Sequence, residues 1–504
     1  MPGPPPALSL LALLAAAAAL PGAAPASATG ADAWPIVVRR GDALWEGDRP
    51  FRFFGLAAPN LHQNESQILP DFSNRFPDEF ETRDVLGAMQ QMGARATRCF
   101  GLSIMAPPDR GLPVYLTGRR AYNEEAFRCL DRVLALCHEY DVRVILPLII
   151  AQDFGGWRGV EAFAALAGKT GDEFWTDDGV KADFRDLIDH VVNRRNTVSG
   201  LRYRDDPAIL AWQAGNELTS YADDRKLDPK IWIPRITAWT QEMAAHLKAV
   251  DPRHLVMEGG GDQSVFAADP HIDVISIHLY QYWAEQAGQP ADLAASARRA
   301  RAEFRGRRPV IIDEFGLGSF DNLRRLIEEI RADGMTGGLL WGIRGHRRDG
   351  GFYYHNEGGT PVNAYHWPGF ATGQGYDERR LLDLLRREAS AISDRALPPV
   401  PLPSPAPVLR LAGEGFTWRG STGAAAYTLE RAGAPGGPWE RLAVGLQDSV
   451  IADVVNYERE KTSAPDVLYV DESAPSGEPR YYRLKAVNPA GETDYSAVVE
   501  RTRQ

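Results

Sequence analysis

The sequence predicts an α/β protein in which a (β/α)8 TIM barrel is followed by a small C-terminal β-sandwich. Two observations predict the barrel. Eight short apolar runs alternate with longer amphipathic segments, and polar or aromatic residues stand where the apolar runs end. The sandwich is predicted by short strand and turn patterns over the last ~95 residues. A chain of 504 residues is also longer than one hydrophobic core usually organises.

The predicted strands of the barrel are apolar runs bounded by turn residues. They are Phe51–Leu56, Ala94–Cys99, Val142–Ile149, Ile209–Gly215, His254–Glu258, Asp273–His278, Pro309–Glu314 and Gly338–Gly342. Helical periodicity between them predicts Thr82–Met92, Asn123–Glu139, Val180–Val192, Pro234–Val250, Leu293–Phe304 and Phe320–Asp333. Because strands and helices alternate, a parallel sheet is expected, and eight strands favour its closure.

We divide the chain into a signal peptide (1–28), a catalytic barrel domain (34–396), a proline-rich linker (397–407) and a β-sandwich (408–504). The apolar run Ala7–Leu20 is too short to span a bilayer, and the small residues Ala26, Ser27 and Ala28 suit signal-peptide cleavage. The mature protein is therefore expected to be secreted or periplasmic, without membrane attachment. The predicted sandwich strands are Gly413–Trp418, Ala426–Arg431, Arg441–Val444, Tyr481–Asn488 and Tyr495–Val499.

Composition excludes several classes of protein. With 44% hydrophobic and 24% charged residues, the chain is neither mainly disordered nor a polytopic membrane protein. Its net charge of −11 gives no positive field for nucleic acid or anionic membranes. Cys129 and Cys137 are eight residues apart in a helical pattern, so about 12 Å separates them, too far for a disulfide. Together with Cys99 they are expected to be buried free thiols.

The C-terminal ends of the predicted strands hold the residues that could carry chemistry, because active sites of this fold lie there. They are Arg98, Asn216, Glu217, His278, Tyr280, Glu314 and Trp341. Glu217 and Glu314 end the fourth and seventh strands, on opposite walls of the barrel mouth. One such Glu could simply be the first solvated residue after a strand, but paired carboxylates are what glycosidic bond cleavage requires.

Each accessory residue has a structural alternative. Arg98 could hold a carboxylate ionised or form a structural salt bridge, and Asn216 could bind a sugar hydroxyl or serve as a turn residue. His278 and Tyr280 face one cavity by period-two geometry, although a lone residue of either type is more often packed in a core. Trp341 could be barrel core or a stacking floor for a pyranose ring.

Several ordered runs resemble glycoside hydrolase family 5, whose members are retaining (β/α)8 hydrolases of clan A, and within it the β-mannanases. The runs are Phe174–Lys181, Val191–Thr197, Tyr203–Trp212, Asn216-Glu217, His278-Leu-Tyr280 with Trp283, Glu314-Phe-Gly316 and Gly337–Trp341. The resemblance extends over nearly the whole barrel, roughly residues 36–390. The C-terminal part resembles a fibronectin type III domain through Trp418, Tyr427 and Tyr482–Asn488, and such modules are usually spacers.

The family resemblance implies roles for the residues at the strand ends. Glu217 would be the acid/base, and Glu314 the nucleophile, held by Arg98 and Tyr280. Asn216 would bind the 2-hydroxyl, His278 would line the −1 site and Trp341 would lie beneath the sugar. Retention requires the two carboxyls to be about 5–5.5 Å apart, and Glu217 would need a raised pKa. No metal or organic cofactor is needed.

Three loops depart from the family pattern. Ile149–Gly156 replaces an Asn-Asn-Trp run, and Ala57–His62 is also unlike the usual loop. The loop after strand eight, with aromatic residues in Arg344–Glu357 and Tyr365–Pro368, could form sugar platforms, wall off the cleft or pack on itself as a lid. The long insertion near 450–468 is atypical of a fibronectin type III domain.

The resulting hypothesis is a secreted, monomeric, retaining glycoside hydrolase that cleaves β-1,4-mannosidic bonds in a mannan-type polysaccharide or oligosaccharide. A β-1,4-glucanase or an exo-β-mannosidase of the same family remains an alternative, since these residues do not name the sugar. From other classes, a non-catalytic glycan-binding protein with a decayed barrel and a metal-dependent barrel enzyme are the alternatives. For the metal enzyme, the sequence offers no evident ligand cluster.

Overall fold

The computed structural model describes residues 34–64, 75–106, 113–152, 157–353, 364–370, 377–448 and 467–504. From Ile36 onward these residues form one compact unit. The predicted signal peptide and most of the 450–468 insertion lie outside the described residues. Within the described ranges, no helix is both long enough and apolar enough to cross a bilayer.

Strands and helices are interspersed up to residue 393, and the described part of the chain after it contains strands but no helix. The strands are β1 (Val37–Arg40), β2 (Ala43–Glu46), β3 (Arg49–Pro50), β4 (Phe53–Ala57), β5 (Ala96–Arg98), β6 (Leu116–Gly118), β7 (Ala121–Tyr122), β8 (Arg143–Pro147), β9 (Ile209–Gln213), β10 (Leu255–Met257), β11 (Ile275–Tyr280), β12 (Val310–Gly316), β13 (Gly337–Trp341), β14 (Val408–Ala412), β15 (Gly415–Arg419), β16 (Ala426–Ala432), β17 (Glu440–Leu446), β18 (Pro479–Asn488), β19 (Gly491–Glu492) and β20 (Val499–Thr502). The α-helices are α1 (Glu79–Gln91), α2 (Glu124–Tyr140), α3 (Val160–Leu166), α4 (Gly171–Phe174), α5 (Asp178–Asn193), α6 (Ser220–Asp224), α7 (Pro229–Val250), α8 (Gln263–Phe266), α9 (Gln281–Gln286), α10 (Leu293–Phe304), α11 (Phe320–Ala332) and α12 (Glu378–Ser393).

Eight parallel strands close into a barrel. One set pairs in the order β5-β8-β9-β10, and the other in the order β11-β12-β13-β4. A parallel bridge from Met257 to Val274 joins β10 to β11. On the other side, the Ala58 amide donates to the Arg98 carbonyl at 2.8 Å and links the ends of β4 and β5. The strand order therefore follows the chain around the barrel, as the fold requires.

All eight predicted barrel strands and all six predicted helices are confirmed, with ends that differ by a few residues. The match follows from their composition, because fully buried parallel strands read as continuous apolar runs. Every residue of β4, β5, β8, β9, β10, β12 and β13 is buried. The short helices α3, α4, α6, α8 and α9 were not predicted, since each is too short to show a helical period.

The N-terminal hairpin β1–β3 covers the end of the barrel opposite the strand exits. Its apolar residues Val37 and Leu44 pack with Phe51 into the same core as the barrel interior. The carboxylate of Glu46 forms ion pairs with Arg95 and Arg143, which stand where β5 and β8 begin. These contacts close the lower end of the barrel with packed side chains.

The prediction for the three cysteines is confirmed. Cys99, Cys129 and Cys137 are free and buried. Cys137 is fully buried on α2, and burial raises the pKa of the Cys99 and Cys129 thiols to about 12. They therefore behave as small apolar groups of the core rather than as reactive thiolates.

The C-terminal region consists of two antiparallel sheets, β14–β15 and β17–β16–β18–β19, with β20 paired to β18. Residues of both sheets share one apolar core, which includes Leu409, Phe416, Trp418, Leu429 and Leu484. The proline-rich segment that precedes these sheets contacts the C-terminal region at two positions. Asn488 donates to the Pro401 carbonyl at 2.7 Å, and Ser404 pairs with Thr422.

One sequence expectation for this region was wrong, and one strand was missed. Tyr495–Val499 is not a strand, because β20 begins only at Val499. The hydroxyl of Ser496 accepts from the Leu484 amide at 3.0 Å, so a side chain takes the place of a ladder bond there. The strand β14 was not predicted, since it follows directly on the proline-rich segment.

Candidate active site

Glu217 follows the buried strand β9 and is held by the two neighbouring strand exits. The Asn216 amide donates to the Ile149 carbonyl at 2.7 Å, and the Leu218 amide donates to the Gly259 carbonyl at 2.7 Å. Between them Glu217 has a φ of 48°, in the left-handed region that residues other than glycine rarely adopt. Such backbone conformations persist where the surrounding structure fixes them, often at functional sites.

Glu314 lies on β12 with its carboxylate buried and both oxygens bound. Arg98 donates from Nη1 to Oε1 at 2.6 Å, and Tyr280 donates its hydroxyl hydrogen to Oε2 at 2.5 Å. The side chain is only 4% exposed. The carboxylate is therefore fixed in orientation by two donors from different strands.

Arg98 connects three strand ends from a fully buried position. Besides Glu314, its guanidinium donates to Gln213 at 2.8 Å and to Asn216 at 2.6 Å, and its Nε lies 3.3 Å from Asp313. Buried charges of this kind are stable only when paired and hydrogen-bonded. Arg98 thus fixes the floor of the site, and its salt bridge with Glu314 is confirmed as a contact.

His278 stands between the two glutamates. Its Nδ1 lies 2.8 Å from Glu217 Oε1 and 3.4 Å from Glu314 Oε2, and its Nε2 lies 3.5 Å from Asp313. One atom each from Glu217, His278 and Glu314 fall within 4.8 Å of one another. The structure therefore brings the two predicted carboxyls together across the barrel mouth.

Sequence reasoning missed Asp313, which reaches the same cluster as its neighbour Glu314. Consecutive residues of a regular strand point to opposite faces, so only one of the two was expected in the site. The pairing of β12 shifts register between Ile312 and Phe315, and β11 shifts between Ser276 and His278. Bulges of this kind redirect side chains beside active sites, and a sequence does not show them.

Gln152 and Glu258 are two further polar residues that were not predicted. Gln152 donates to the second oxygen of Glu217 at 2.9 Å, from the loop that departs from the family pattern. Glu258 ends β10 and accepts from the Ser276 and Gly260 amides at 2.9 and 2.7 Å. A charged residue at the end of a predicted strand was a signal for Glu258, whereas nothing in the sequence indicated Gln152.

The pKa shifts of the two glutamates differ from the expectation, which was a raised pKa for Glu217. Burial raises the pKa of Glu314 to about 7, although the charges of His278 and Arg98 oppose it. Burial alone would raise the pKa of Glu217 too, but the hydrogen bond and charge of His278 outweigh it, and that pKa is lowered. Burial opposes the charge on His278, yet Glu314 and Asp313 raise its pKa well above the ordinary value. These directions favour His278 over Glu217 as the group that carries the proton.

Trp341 lies at the end of β13 and is 6% exposed. Its ring is 5.9 Å from that of Phe100, and the guanidinium of Arg344 lies 5.8 Å from its centre. The loop that follows it is self-packed over its described part, where Phe352, Tyr353, Tyr365, His366 and Trp367 are all buried. Their burial favours the self-packed lid over sugar platforms.

The same three groups could also surround a cation, contrary to the expectation that no ligand cluster would form. Among the described residues, Glu217, His278 and Glu314 are the one such group. However, Arg98 and Tyr280 already donate to Glu314, and an imidazolium donates to Glu217, so positive charge and hydrogen-bond donors occupy the carboxylates. The donor set fits a proton-sharing cluster better than a metal site.

Comparison with known proteins adds to this geometry. Residues 78–325 match the family model described as GH family 5 beta-mannosidase-like. Mannan endo-1,4-beta-mannosidase 1 of Oryza sativa subsp. japonica is 31% identical over 268 residues, covering 44% of this chain and 60% of that protein. Mannan endo-1,4-beta-mannosidase 7 of the same plant is 28% identical over 361 residues, covering 61% of this chain and 88% of that protein. This chain is a glycoside hydrolase.

Solved structures similar to the hydrolase show the same fold at low identity. The endo-1,4-beta-mannanase from Rhizomucor miehei has a TM-score of 0.56 and 18% identity, covering 71% of this chain and 100% of that one. The endo-beta-1,4-mannanase from Thermotoga petrophila has a TM-score of 0.54 and 16% identity, covering 90% of this chain and 98% of that one. At these identities the likeness concerns the fold of the hydrolase alone.

Proposed function

We propose that the hydrolase cleaves β-1,4-mannosidic bonds of a mannan-type polysaccharide or oligosaccharide by double displacement with retention of configuration. The observation that carries the mechanism is the approach of Glu217 and Glu314, which have oxygens within 4.8 Å of each other. A separation of about 5–5.5 Å between carboxyl groups suits direct attack on the anomeric carbon, whereas inversion needs about 6.5–9.5 Å to admit a water. The names of the curated relatives support mannan as the substrate.

The partners of each carboxyl assign the two roles. Arg98 and Tyr280 each donate a hydrogen bond to the Glu314 carboxylate. These bonds fix its orientation and stabilise its negative charge, as a nucleophile requires. Glu217 has a side chain 32% exposed and contacts His278, a group that can supply a proton. Glu217 therefore acts as acid and then as base, and Glu314 forms the glycosyl-enzyme.

The proton for the first step comes through His278. Its Nδ1 hydrogen points at Glu217 Oε1 over 2.8 Å, so a shift along this hydrogen bond gives a neutral imidazole and a protonated Glu217. That carboxylic acid then protonates the leaving oxygen while Glu314 attacks the anomeric carbon. In the second step Glu217 takes a proton from water, which displaces Glu314 and restores the cluster.

The remaining residues of the site bind the sugar. Arg98 donates to the side-chain oxygen of Asn216. The side-chain nitrogen of Asn216 does not take part in that bond and can donate to the 2-hydroxyl beside the anomeric carbon. Trp341 lies beneath the sugar at the −1 site. We further propose a secreted or periplasmic monomer that needs no metal or organic cofactor and whose C-terminal region is fibronectin type III-like.

Parallel digestion of mannan, glucomannan and carboxymethylcellulose tests the substrate, and NMR of the first-formed anomer tests the mechanism. We expect β-anomeric manno-oligosaccharides of mixed length from mannan. Release of mannose alone would instead identify an exo-β-mannosidase, and attack on carboxymethylcellulose alone a β-1,4-glucanase. Turnover with an α-anomeric first product would overturn double displacement.

The raised pKa of Glu314 predicts the acid limb of the pH profile. Glu314 must be ionised to attack, so kcat/KM falls tenfold per unit as the pH drops below about 7. The Tyr280 hydroxyl lowers this pKa by donating to the carboxylate, so Tyr280→Phe moves the limb to higher pH by about one unit. Initial rates on a soluble manno-oligosaccharide between pH 4 and 9 measure the shift.

Tyr203→Phe is the matched control for this experiment. Tyr203 is buried and donates to Asp131 at 2.7 Å, away from the two glutamates. This variant loses a similar hydrogen bond but keeps the acid limb in place. An unchanged limb in Tyr280→Phe, or equal shifts in both variants, would contradict the assignment of the limb to Glu314.

A further inference from the structure

The loop that follows β13 carries a buried histidine, His346, which the proposed mechanism does not use. Its Nδ1 lies 2.9 Å from the carboxylate of Asp84 on α1, and its Nε2 lies 2.8 Å from the carboxylate of Asp448 in the C-terminal region. The backbone amide of His346 also donates to Asp84 at 2.7 Å, and the ring stacks on Phe352 with centres 3.9 Å apart.

Two carboxylates on the two ring nitrogens fix the protonation state of His346. A carboxylate accepts hydrogen bonds, so each nitrogen must carry a hydrogen, and only the imidazolium has both. In agreement, the charges of Asp84 and Asp448 raise the pKa of His346 to about 10, although burial opposes this. A buried cation thus links a barrel helix to the C-terminal region, with a carboxylate from each.

The carboxylates of this link are themselves held by the C-terminal region. Thr422 donates its hydroxyl hydrogen to Asp84 at 2.6 Å, and Tyr427 donates to Asp448. The Ser421 amide in turn donates to the Tyr427 oxygen at 2.9 Å. Both ring nitrogens of His346 and the two carboxylates that face them are therefore hydrogen-bonded, and a satisfied buried group of this kind favours one arrangement.

Further contacts bring the C-terminal region against the same loop. The Gly351 amide donates to the Trp418 carbonyl at 3.2 Å, and Arg410 donates to the Arg348 carbonyl at 2.5 Å. A Cβ on Gly350 would lie 2.2 Å from the Thr417 hydroxyl, so the Thr417 side chain packs directly against the Gly350 backbone where another residue would clash.

The loop begins at the floor of the active site. Trp341 ends β13, the Ile343 amide donates to the Ala57 carbonyl at 2.8 Å, and Arg344 stands over the Trp341 ring. His346 follows two residues later. Contacts that hold His346 in place therefore also restrict the backbone between Trp341 and His346.

We propose that the C-terminal region is a built-in clamp for the loop 342–353, with His346 as the positioning residue that ties this loop to both Asp84 and Asp448. The region is then part of the working enzyme rather than a spacer or a separate carbohydrate-binding module. It acts on the active site through the chain that carries Trp341 and Arg344.

Asp448→Asn in the full chain tests the clamp, since it keeps the shape of the side chain but removes its charge from His346. Hydrogen–deuterium exchange of peptides covering 342–353 is the readout. We expect their amides to exchange about tenfold faster or more, because local opening becomes easier once the link weakens. Thr422→Val removes only the hydroxyl donor to Asp84, so we expect a smaller increase in the exchange rate. This variant replaces Asp448→Asn if the latter fails to fold.

Asp471→Asn is the matched control. Asp471 is also a buried carboxylate of the C-terminal region, and it accepts from Tyr482 and pairs with Arg431, both within that region. This variant loses stability without changing exchange in 342–353. Two results would overturn the clamp. One is the same exchange rate in 342–353 for Asp448→Asn and Asp471→Asn. The other is a wild-type exchange rate there in both Asp448→Asn and Thr422→Val.

Activity provides a second readout, which rests on the proposed function. Loosening the loop raises KM and lowers kcat by about tenfold in Asp448→Asn but not in Asp471→Asn, because a small misplacement at the site is costly. The exchange experiment needs no substrate. Faster exchange with unchanged kinetics would show that the clamp does not position the site, whereas a wild-type protein inactive on every glycan would overturn the proposed function alone.

Discussion

Glu314→Gln is expected to lower kcat on mannan by about 10⁴-fold or more, because no covalent glycosyl-enzyme can form without the carboxylate. The amide oxygen can still accept from Arg98, and the amide nitrogen can donate to the Tyr280 oxygen, so the surroundings of the residue are preserved. Binding is therefore retained while turnover is lost. Initial rates on mannan, with calorimetric titration of a manno-oligosaccharide, measure the two effects separately.

Glu46→Gln is the control for Glu314→Gln. Glu46 is a partly buried glutamate paired with Arg95 and Arg143 at the opposite end of the barrel. Losing its charge lowers the free energy of unfolding but leaves kcat near the wild-type value. If Glu314→Gln kept even a tenth of wild-type activity, Glu314 would not be the nucleophile; a wild-type chain that binds mannan without hydrolysing it would instead support the non-catalytic alternative.

Glu217→Gln is expected to lower kcat on mannan by about 10²–10⁴-fold, the usual contribution of a general acid and base. An aryl β-mannoside with an acidic phenol needs little protonation of its leaving group, so its first step is nearly unaffected. The glycosyl-enzyme then accumulates, because no base activates water. A pre-steady-state burst of phenol followed by slow turnover is the expected signature.

Azide separates this role from a purely structural one. The anion needs no base, so it restores turnover of the aryl mannoside in Glu217→Gln and yields a β-mannosyl azide. It does not restore Glu314→Gln to the same β-product, since that variant lacks the covalent intermediate. Absence of rescue, together with loss of the burst, would remove Glu217 from the acid/base role.

The sequence predicted the barrel because its signals are local. The eight strands are continuous apolar runs, and the polar residues that end them mark one face of the barrel. Glu217 and Glu314 were placed on that face from strand order alone, and the structure brings their carboxyls together. The contacts of Arg98 and Tyr280 with Glu314 were expected only from the resemblance to glycoside hydrolase family 5.

The remaining features of the site depend on three-dimensional details that no local pattern shows. Register shifts in β11 and β12 add Asp313 to the cluster, and its charge helps to keep the proton on His278. That proton in turn lowers the pKa of Glu217, which the pairing of two carboxylates alone would have raised. Gln152 enters from a loop that departs from the family pattern.

The contacts of the C-terminal region were equally beyond the sequence. His346 lies 262 residues from Asp84 and 102 from Asp448, and nothing near any of them in the chain indicates the others. A proline-rich segment ordinarily suggests a spacer, but here Pro401 and Ser404 are bonded to the region that follows. Such long-range pairs form only when the fold brings distant residues together.

The N-terminal strands β1–β3 affect how substrate and water approach the two glutamates. Among the described residues, Val37, Leu44 and Phe51 fill the lower end of the barrel, so the proposed mechanism brings both sugar and water to the two glutamates from the strand-exit end. Under that mechanism the leaving saccharide occupies the position that water needs, so we expect release of the first product to precede hydrolysis. Any alcohol or sugar hydroxyl that arrives first competes with water for the same position.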